Sequence, residues 1–183
     1  MPNYLRFTLC LFILMLNLAN PSFACAEQLK KLEQVQKTAF PEADSFVDAK
    51  VTLSAEQIKS IASSSGVRVR LNQQAVWQAM ANQKKIGWLI VDEVLGKHEF
   101  ITYSLALNND GSVKLIEVMD YRETHGGQVQ NAAWLQQFVG KMFGAAFKLD
   151  EDIKNISGAT LSCKHMADGV KRLLAFYKVA LVS

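Results

Sequence analysis

Three strand-like runs in the middle of the chain constrain its fold most strongly. They are residues 86–95, 100–108 and 112–121, of which the last two alternate and are separated by Asn109-Asp110-Gly111. An Asp-Gly pair between alternating runs is a strong signal for a β-hairpin. In the middle run, one face carries Ile101, Tyr103, Leu105 and Leu107, and the other carries Thr102, Ser104 and Asn108. We therefore expect an antiparallel sheet with one core face and one wetter face.

Helical patterns flank these strands. Residues 27–39 have helical spacing that ends at Phe40-Pro41, and residues 54–57 form a capping box for a second helix. Residues 67–71 alternate and predict a short strand. After a polar loop at residues 122–130, Asn131 can cap a helix that runs to about Met142. The sequence therefore predicts an α+β fold, a mostly antiparallel sheet packed with helices.

A turn of small residues leads directly into the last predicted helix. The turn reads Ser157-Gly158-Ala159-Thr160-Leu161-Ser162, and the helix after it has one apolar stripe, made of Met166, Val170, Leu173, Leu174 and Tyr177. Small residues let the backbone approach a ligand closely, and the free N–H groups at a helix start favour an anion. We expect a phosphate to bind here, beside the hydroxyl of Thr160.

The string Ser157-Gly158-Ala159-Thr160 resembles the flavinylation motif of the FMN-binding domain family. Members include the C subunit of the sodium-translocating NADH:quinone reductase and the G subunit of the Rnf complex. In that family the Thr that ends the motif carries FMN through a phosphodiester bond, which a separate, FAD-using flavin transferase installs. The resemblance implies a covalent FMN on Thr160, with the phosphate cradled by residues 157–162 at the N-terminus of the C-terminal helix.

A second segment extends the resemblance to about residues 86–178. Residues 121–127 read Tyr-Arg-Glu-Thr-His-Gly-Gly and are similar to the family's Glu-Thr-Pro-Gly stretch, and the helix with Trp134 follows. The resemblance implies that part of the isoalloxazine ring is covered by Glu123, Thr124, His125 and Gly126. His125 replaces the usual Pro, which fits a stand-alone branch, and Lys154 stands where the family often has Asp. Trp134 is expected to anchor the core, with contact to the flavin left open.

The N-terminus has the pattern of a secretory signal peptide. A 13-residue apolar run, Phe7 to Ala19, follows a short n-region with one positive side chain, and Ala24-Cys25-Ala26 offers a cleavage site. We therefore divide the chain into a signal peptide at 1–26, an N-terminal extension of the domain at 27–85 and the FMN-binding domain at 86–183. The mature protein is expected in the periplasm. Association with the inner membrane is left open. Lipidation at Cys25 and an uncleaved anchor stay as alternatives.

Charge and cysteine content exclude other classes. The full chain has 20 basic and 17 acidic residues, a net charge of +3, and loses one Arg with the signal, which leaves 20 − 1 − 17 = +2. That balance gives no support for a nucleic-acid partner. The three histidines show no metal-binding spacing, so no metal site is expected. Cys163 is the one cysteine expected in the mature chain, either as a packed small residue or as an activated thiolate.

Three functions follow from these patterns. The first is an exported electron carrier with covalent FMN, no catalytic residues of its own, a flavin transferase as maturation partner and redox proteins as electron partners, some of them membrane-bound. The second is a flavin-dependent reductase of a small or extracellular acceptor, in which His125 or His98 supplies a proton. The third is a binding module without flavin. Whether the chain is an enzyme is left open, with an electron carrier favoured over an enzyme that turns over a substrate.

A polar cluster is formed by Asp92, Glu93, His98 and Glu99. It is interpreted either as a solvated loop or as a functional group.

Overall fold

The computed structural model describes residues 21–182, with side chains from residue 27 onward. The chain divides between Gln34 and Val35 into two compact units. The described part of the first unit is helical and carries an ion pair between Lys31 and Glu27 at 3.1 Å. Within the described residues, no helix is both long enough and apolar enough to cross a membrane. The predicted signal peptide falls mostly outside this range, and its cleavage stays a prediction.

Six strands and four α-helices make up the described chain. The strands are β1 (Ser45–Asp48), β2 (Val51–Thr52), β3 (Gln73–Ala81), β4 (Lys84–Leu95), β5 (Phe100–Asn108) and β6 (Val113–Tyr121). The helices are α1 (Pro21–Ala39), α2 (Ala55–Ser65), α3 (Ala132–Leu135) and α4 (Thr160–Phe176). Two 3₁₀ turns (Gly127–Gln130 and Gln136–Phe138) flank α3, and a π turn (Tyr177–Leu181) follows α4.

The sheet is antiparallel throughout and has the strand order β1-β3-β4-β5-β6, with β2 also pairing with β3. The predicted hairpin is confirmed, because β5 and β6 pair across the turn that contains Asp110 and Gly111. The backbone at Gly111 has a φ of +84°, which only a residue without a Cβ adopts at low cost. The α+β fold class predicted from the sequence is confirmed.

The expected strand at residues 67–71 is wrong. These residues have no regular structure, and the sheet instead takes in β3, whose Gln73, Gln74 and Gln78 obscure the alternation of its apolar residues. The capping box of α2 is confirmed: Ser54 Oγ accepts from Gln57 N at 3.2 Å, and Gln57 Oε1 accepts from Ser54 N at 3.0 Å. After α2, Gly66 adopts a φ of +68° and ends the helix.

Both faces of the sheet are covered. The expectation of one wetter face is therefore wrong for the centre of the sheet. One face packs against α4 and holds Ile101, Tyr103, Leu105 and Leu107, all 0% exposed. On the other face Leu89 and Ala106 are also buried. The ring of Phe40 covers that face, since a Cβ added at Gly87 would meet Phe40 Cε1 at 2.5 Å. Phe40, the residue that directly follows α1, therefore supplies apolar cover for this second face.

The helix expected from Asn131 to about Met142 is much shorter. Asn131 caps it as predicted, with Oδ1 accepting from Ala133 N at 2.9 Å. The chain leaves the helix because Gly140 has a φ of +80° and its N–H donates to Val113 O at 2.8 Å. The residues after the helix are thereby hydrogen-bonded to the start of β6 rather than to a further turn.

Candidate functional site

Helix α4 begins at Thr160, so the structure places the predicted acceptor in the first helical position. Gly158 has a φ of +81° and turns the chain into the helix, and Cys163 N donates to Ala159 O at 2.9 Å as the first intrahelical bond. Thr160 is exposed, as are Ser157 and Gly158. The helix then buries its predicted stripe against the sheet, where Met166, Val170 and Leu173 are 0% exposed. Burial of this stripe fixes the helix start in place.

The N-terminus of α4 has no side-chain cap. Ala159 occupies the N-cap position, and no acidic residue lies in the first turn. Ala is among the poorest N-cap residues and costs about 1 kcal/mol relative to Ser, Thr, Asp or Asn. The backbone N–H groups of the first turn and the positive end of the helix dipole are therefore available to an anion.

Asn155 orients the hydroxyl of Thr160. Its Nδ2 donates to Thr160 Oγ1 at 3.3 Å, and its own Oδ1 accepts from Ile156 N at 2.9 Å. This bond uses one lone pair of Thr160 Oγ1. The second lone pair and the hydroxyl proton remain for other contacts. Sequence reasoning missed Asn155, although its position five residues before the acceptor was a usable signal.

The structure brings the two predicted segments together. A Cβ added at Gly126 would lie 2.8 Å from Ala159 Cβ and 3.1 Å from Tyr121 Oη, so the loop after β6 packs directly on the turn before α4. Gly126 has a φ of +79°. A residue without a side chain is needed here for both space and conformation. Residues 122–126 and 157–160 therefore form one site.

Tyr121 holds this junction together. Its hydroxyl donates to His125 O at 2.5 Å, which closes the loop on the end of β6. Burial raises the pKa of Tyr121, a hydrogen bond with Ser162 lowers it, and the charge of Glu123 raises it further. Ser162 itself is buried, so its hydroxyl faces the protein interior rather than solvent. Of the groups of Ser162, only the backbone N–H is therefore left to contact the phosphate as predicted.

Glu123 fastens the loop to the turn between β4 and β5. Its Oε1 accepts from His98 N at 2.6 Å and from Glu99 N at 3.1 Å. These backbone hydrogen bonds lower the pKa of the Glu123 carboxyl. The geometry therefore gives this carboxylate a bracing task, and its contact with a flavin ring stays a prediction.

Thr124 and His125 are exposed beside this junction. Thr124 Oγ1 and His125 Nδ1 lie 2.8 Å apart. With Gly126 they line a shallow, open groove whose remaining wall is formed by Gly127, Gln128, Gln130 and Asn131. Three of the four residues expected over the isoalloxazine ring thus share one surface next to the start of α4.

Two further contacts fix the surroundings of the motif. His165, in the second turn of α4, hydrogen-bonds through Nδ1 to Leu95 O at the end of β4. Trp134 Nε1 donates to Lys154 O at 2.7 Å, and Lys154 N donates to Gln137 Oε1 at 2.7 Å. Trp134 is buried, as expected for a core anchor. The Lys154 backbone is therefore clamped by the segment that contains α3.

The thiol of Cys163 is buried and faces away from solvent. Burial raises its pKa. An activated thiolate requires the opposite shift and some exposure, so of the two alternatives for Cys163 the packed small residue fits the structure and the activated thiolate does not. Cys163 packs as a small apolar residue one turn into α4.

Comparisons with known proteins agree with this geometry. Residues 96–175 match the family model described as an FMN-binding domain. Among solved structures, the chain is similar to the crystal structure of NqrC from Shewanella oneidensis, with 16% identity and a TM-score of 0.59. That match covers 82% of this chain and 96% of the NqrC chain, and it shows a shared fold. No curated protein matches the chain.

The matched range begins in the turn that Glu123 braces and ends within α4, so it contains both segments of the site. The backbone also fits a flavin phosphate, because an uncapped helix start lies beside an exposed hydroxyl. Residues 96–175 of this chain therefore match the FMN-binding domain family, which confirms the resemblance that the two sequence motifs predict.

Proposed function

We propose that this protein is an exported electron carrier that holds FMN covalently through a phosphodiester bond to Thr160. The observation that carries the proposal is the exposed hydroxyl of Thr160 at the uncapped start of α4, within a matched FMN-binding domain. A hydroxyl that serves as an acceptor must be reachable by a second protein. Thr160 meets that requirement, whereas Ser162 is buried.

In the proposed maturation step, FAD donates the FMN group to Thr160, and AMP is the leaving group. The oxygen of Thr160 attacks the FMN phosphorus of FAD, the bond between the two phosphates breaks, AMP leaves and the hydroxyl proton is released. The product carries FMN less one water. In this step Asn155 orients the acceptor oxygen, and the first-turn N–H groups of α4 stabilise the negative charge on the phosphate.

When bound, FMN supplies the redox chemistry, and the protein supplies attachment, orientation and electrostatic tuning. Residues 157–162 hold the phosphate, with the backbone of Ser162 contributing in place of its buried hydroxyl. Thr124, His125 and Gly126 offer the open surface beside it, and Glu123 and Tyr121 keep that surface in place. Such an arrangement needs no acid or base for turnover, which favours a carrier over a reductase.

The proposal includes the periplasm as the place of work and an FAD-dependent flavin transferase and redox proteins as partners. Its support is the signal-like pattern of residues 1–26. A covalent bond has a clear advantage outside the cytoplasm, where a dissociated flavin is not readily replaced.

Intact-mass measurement tests the proposal. The full chain is expressed with an active flavin transferase, exported and weighed, and the expected gain equals FMN less one water. Thr160→Ala is expected to abolish the gain. Thr124→Ala is the matched control, since it removes a second exposed threonine hydroxyl from the same site, and its modification is expected to persist.

The alternatives predict different results. A binding module without flavin shows no gain in mass for any variant. A reductase shows the gain and also saturable turnover of a small acceptor, measured by stopped-flow reoxidation. A carrier shows the gain and reoxidation rates that rise linearly with acceptor concentration.

A further inference from the structure

The turn between β4 and β5 contacts both segments of the site. From the loop after β6, Glu123 Oε1 accepts from His98 N at 2.6 Å and from Glu99 N at 3.1 Å. From α4, His165 hydrogen-bonds through Nδ1 to Leu95 O, at the end of the strand that leads into the turn. The turn therefore links the loop and the helix a second time, in addition to their direct contact.

Gly96 gives this turn its shape. Its N–H donates to Glu99 O at 2.8 Å, which closes the turn tightly. A Cβ added at Gly96 would lie 2.6 Å from Glu123 Oε1 and 3.1 Å from Glu99 O. A side chain at this position would displace the carboxylate that braces the loop. The turn is therefore shaped around Glu123, and its position relative to the loop is fixed.

The bond from His165 fits an open position on β4. Strand β4 pairs with β3 only as far as Val91, whereas its pairing with β5 continues to Leu95. The last part of β4 therefore has no neighbour from β3, and Leu95 O accepts from the helix instead. A carbonyl oxygen can only accept, so Nδ1 carries the proton of this bond, in the neutral ring and in the charged ring alike.

Directional contacts hold the start of α4 at one angle about the helix axis. Burial of the apolar stripe keeps the helix on the sheet, but apolar burial is non-directional and restrains rotation only weakly. The hydrogen bond between Tyr121 and Ser162 ties the first turn of the helix to β6. The bond between His165 and Leu95 O ties the second turn to β4.

A small rotation of the helix start is enough to matter for an acceptor. A rotation of about 20° would move the Cα of Thr160, which lies about 2.3 Å from the helix axis, by about 0.8 Å. A misplacement of about 1 Å can slow a reaction about a hundredfold. The contacts that set this angle therefore bear on the reactivity of the hydroxyl.

We propose that His165 is a positioning residue for flavin attachment, which holds the hydroxyl of Thr160 in place through Leu95 O and the turn that Glu123 braces. The proposal rests on the proposed function, since attachment at Thr160 is the reaction affected. His165 takes no part in the transfer of the proton or the phosphate. Because the anchor at Ser162 remains when His165 is replaced, the expected loss is about tenfold rather than a hundredfold.

NMR spectra of the unmodified full chain test the contact without flavin. The nitrogen chemical shifts of the ring are expected to show a proton on His165 Nδ1. His165→Leu removes the donor and is expected to shift the amide and methyl resonances of Thr160. His165→Asn keeps an N–H close to the position of Nδ1 and is expected to leave them near their original values. A neutral ring with its proton on Nε2, or Thr160 resonances that are the same in all three proteins, would overturn the proposal.

Rates of FMN incorporation test the consequence. Each variant is incubated with purified flavin transferase and FAD, and the attached flavin is followed by its fluorescence after denaturing electrophoresis. His165→Leu is expected to lower kcat about tenfold with KM within about twofold, and His165→Asn to restore kcat to within about threefold of the unchanged protein. A change in KM alone would indicate contact with the transferase, and an Asn variant as slow as the Leu variant would exclude the role of the donor. Either result refutes the proposal.

The pH dependence separates positioning from proton transfer. Both charge states of the ring donate from Nδ1, so the ratio of kcat between the unchanged protein and His165→Leu is expected to stay constant from about pH 5.5 to pH 8. A ratio that rises with pH would identify a general base instead. If the unchanged protein gains no FMN at all, attachment at Thr160 is itself wrong. Normal attachment with the same kcat in His165→Leu contradicts the role of His165 alone.

Discussion

Gly126 and Ala159 are in such close contact that a single added methyl group at Gly126 would stand 2.8 Å from the Ala159 Cβ. This contact joins the loop after β6 to the turn before α4. The two segments are 33 residues apart in sequence (159 − 126 = 33), and each carries one of the two motifs that resemble the FMN-binding domain family. The site exists because these backbones approach each other.

Gly126→Ala is expected to lower the free energy of unfolding by about 2–4 kcal/mol, because the methyl group overlaps Ala159 and the φ of +79° is unfavourable for a residue with a Cβ. Urea denaturation measures the change. Gly127→Ala is the control, since its nearest neighbour is a flexible Gln130 Nε2 at 3.5 Å and no positive φ is involved. Equal losses in the two variants would contradict the contact.

The sequence was sufficient to find both segments, because each contains a local string of small or polar residues beside a helix or strand. The contact between the two segments could not be derived from the sequence, since it depends on the register of β6 and on the position of α4 along the sheet. The bracing roles of Tyr121 and Glu123 were missed for the same reason. Their partners, His125 O and the backbone of His98, carry no side-chain signal.

The errors in the fold have physical causes as well. Residues 67–71 alternate well but have no strand to pair with, whereas β3 lies between β1 and β4 and is held by both. Long-range pairing therefore overrides the local pattern. The helix from Asn131 ends early because Gly140 turns toward β6, which local spacing does not reveal.

Glu123 should make stability depend on pH. Backbone hydrogen bonds from His98 and Glu99 lower the pKa of the Glu123 carboxyl below its ordinary value of 4.5. Its stabilising effect is therefore present above about pH 4.5 and is lost as the pH falls through the lower, folded-state value. Denaturation curves between pH 7 and pH 3 should show a smaller loss on acidification for Glu123→Gln than for the unchanged protein. Glu99→Gln, in the same turn, should keep the full loss.

The buried pair of Arg172 and Asp92 should matter more than an exposed pair on the same helix. Asp92→Ala leaves the buried guanidinium of Arg172 without its partner and is expected to lower the free energy of unfolding by about 3–5 kcal/mol. Asp168→Ala breaks the Lys164 pair, which has the same 2.6 Å distance but side chains 58% and 33% exposed, and is expected to cost less than about 1 kcal/mol. Thermal and urea denaturation compare them, and similar costs would refute the role of burial.

Cys163 should react slowly while the protein is folded. Its thiol is buried and its pKa is raised, so both access and thiolate fraction are low. In a Cys10→Ser, Cys25→Ser background, a thiol reagent is expected to modify the native protein about a hundredfold more slowly than the urea-unfolded protein. Comparable rates would indicate an accessible thiolate at the start of α4.

The position of the flavin tests the central claim most directly. The motif offers three hydroxyls, of which Ser157 and Thr160 are exposed and Ser162 is buried. Protein matured by an active flavin transferase is digested, and the peptide that spans residues 157–164 is fragmented by tandem mass spectrometry. The account predicts FMN, less one water, on Thr160 alone. A flavin on Ser157, or an unmodified peptide from protein exposed to the active transferase, would contradict it.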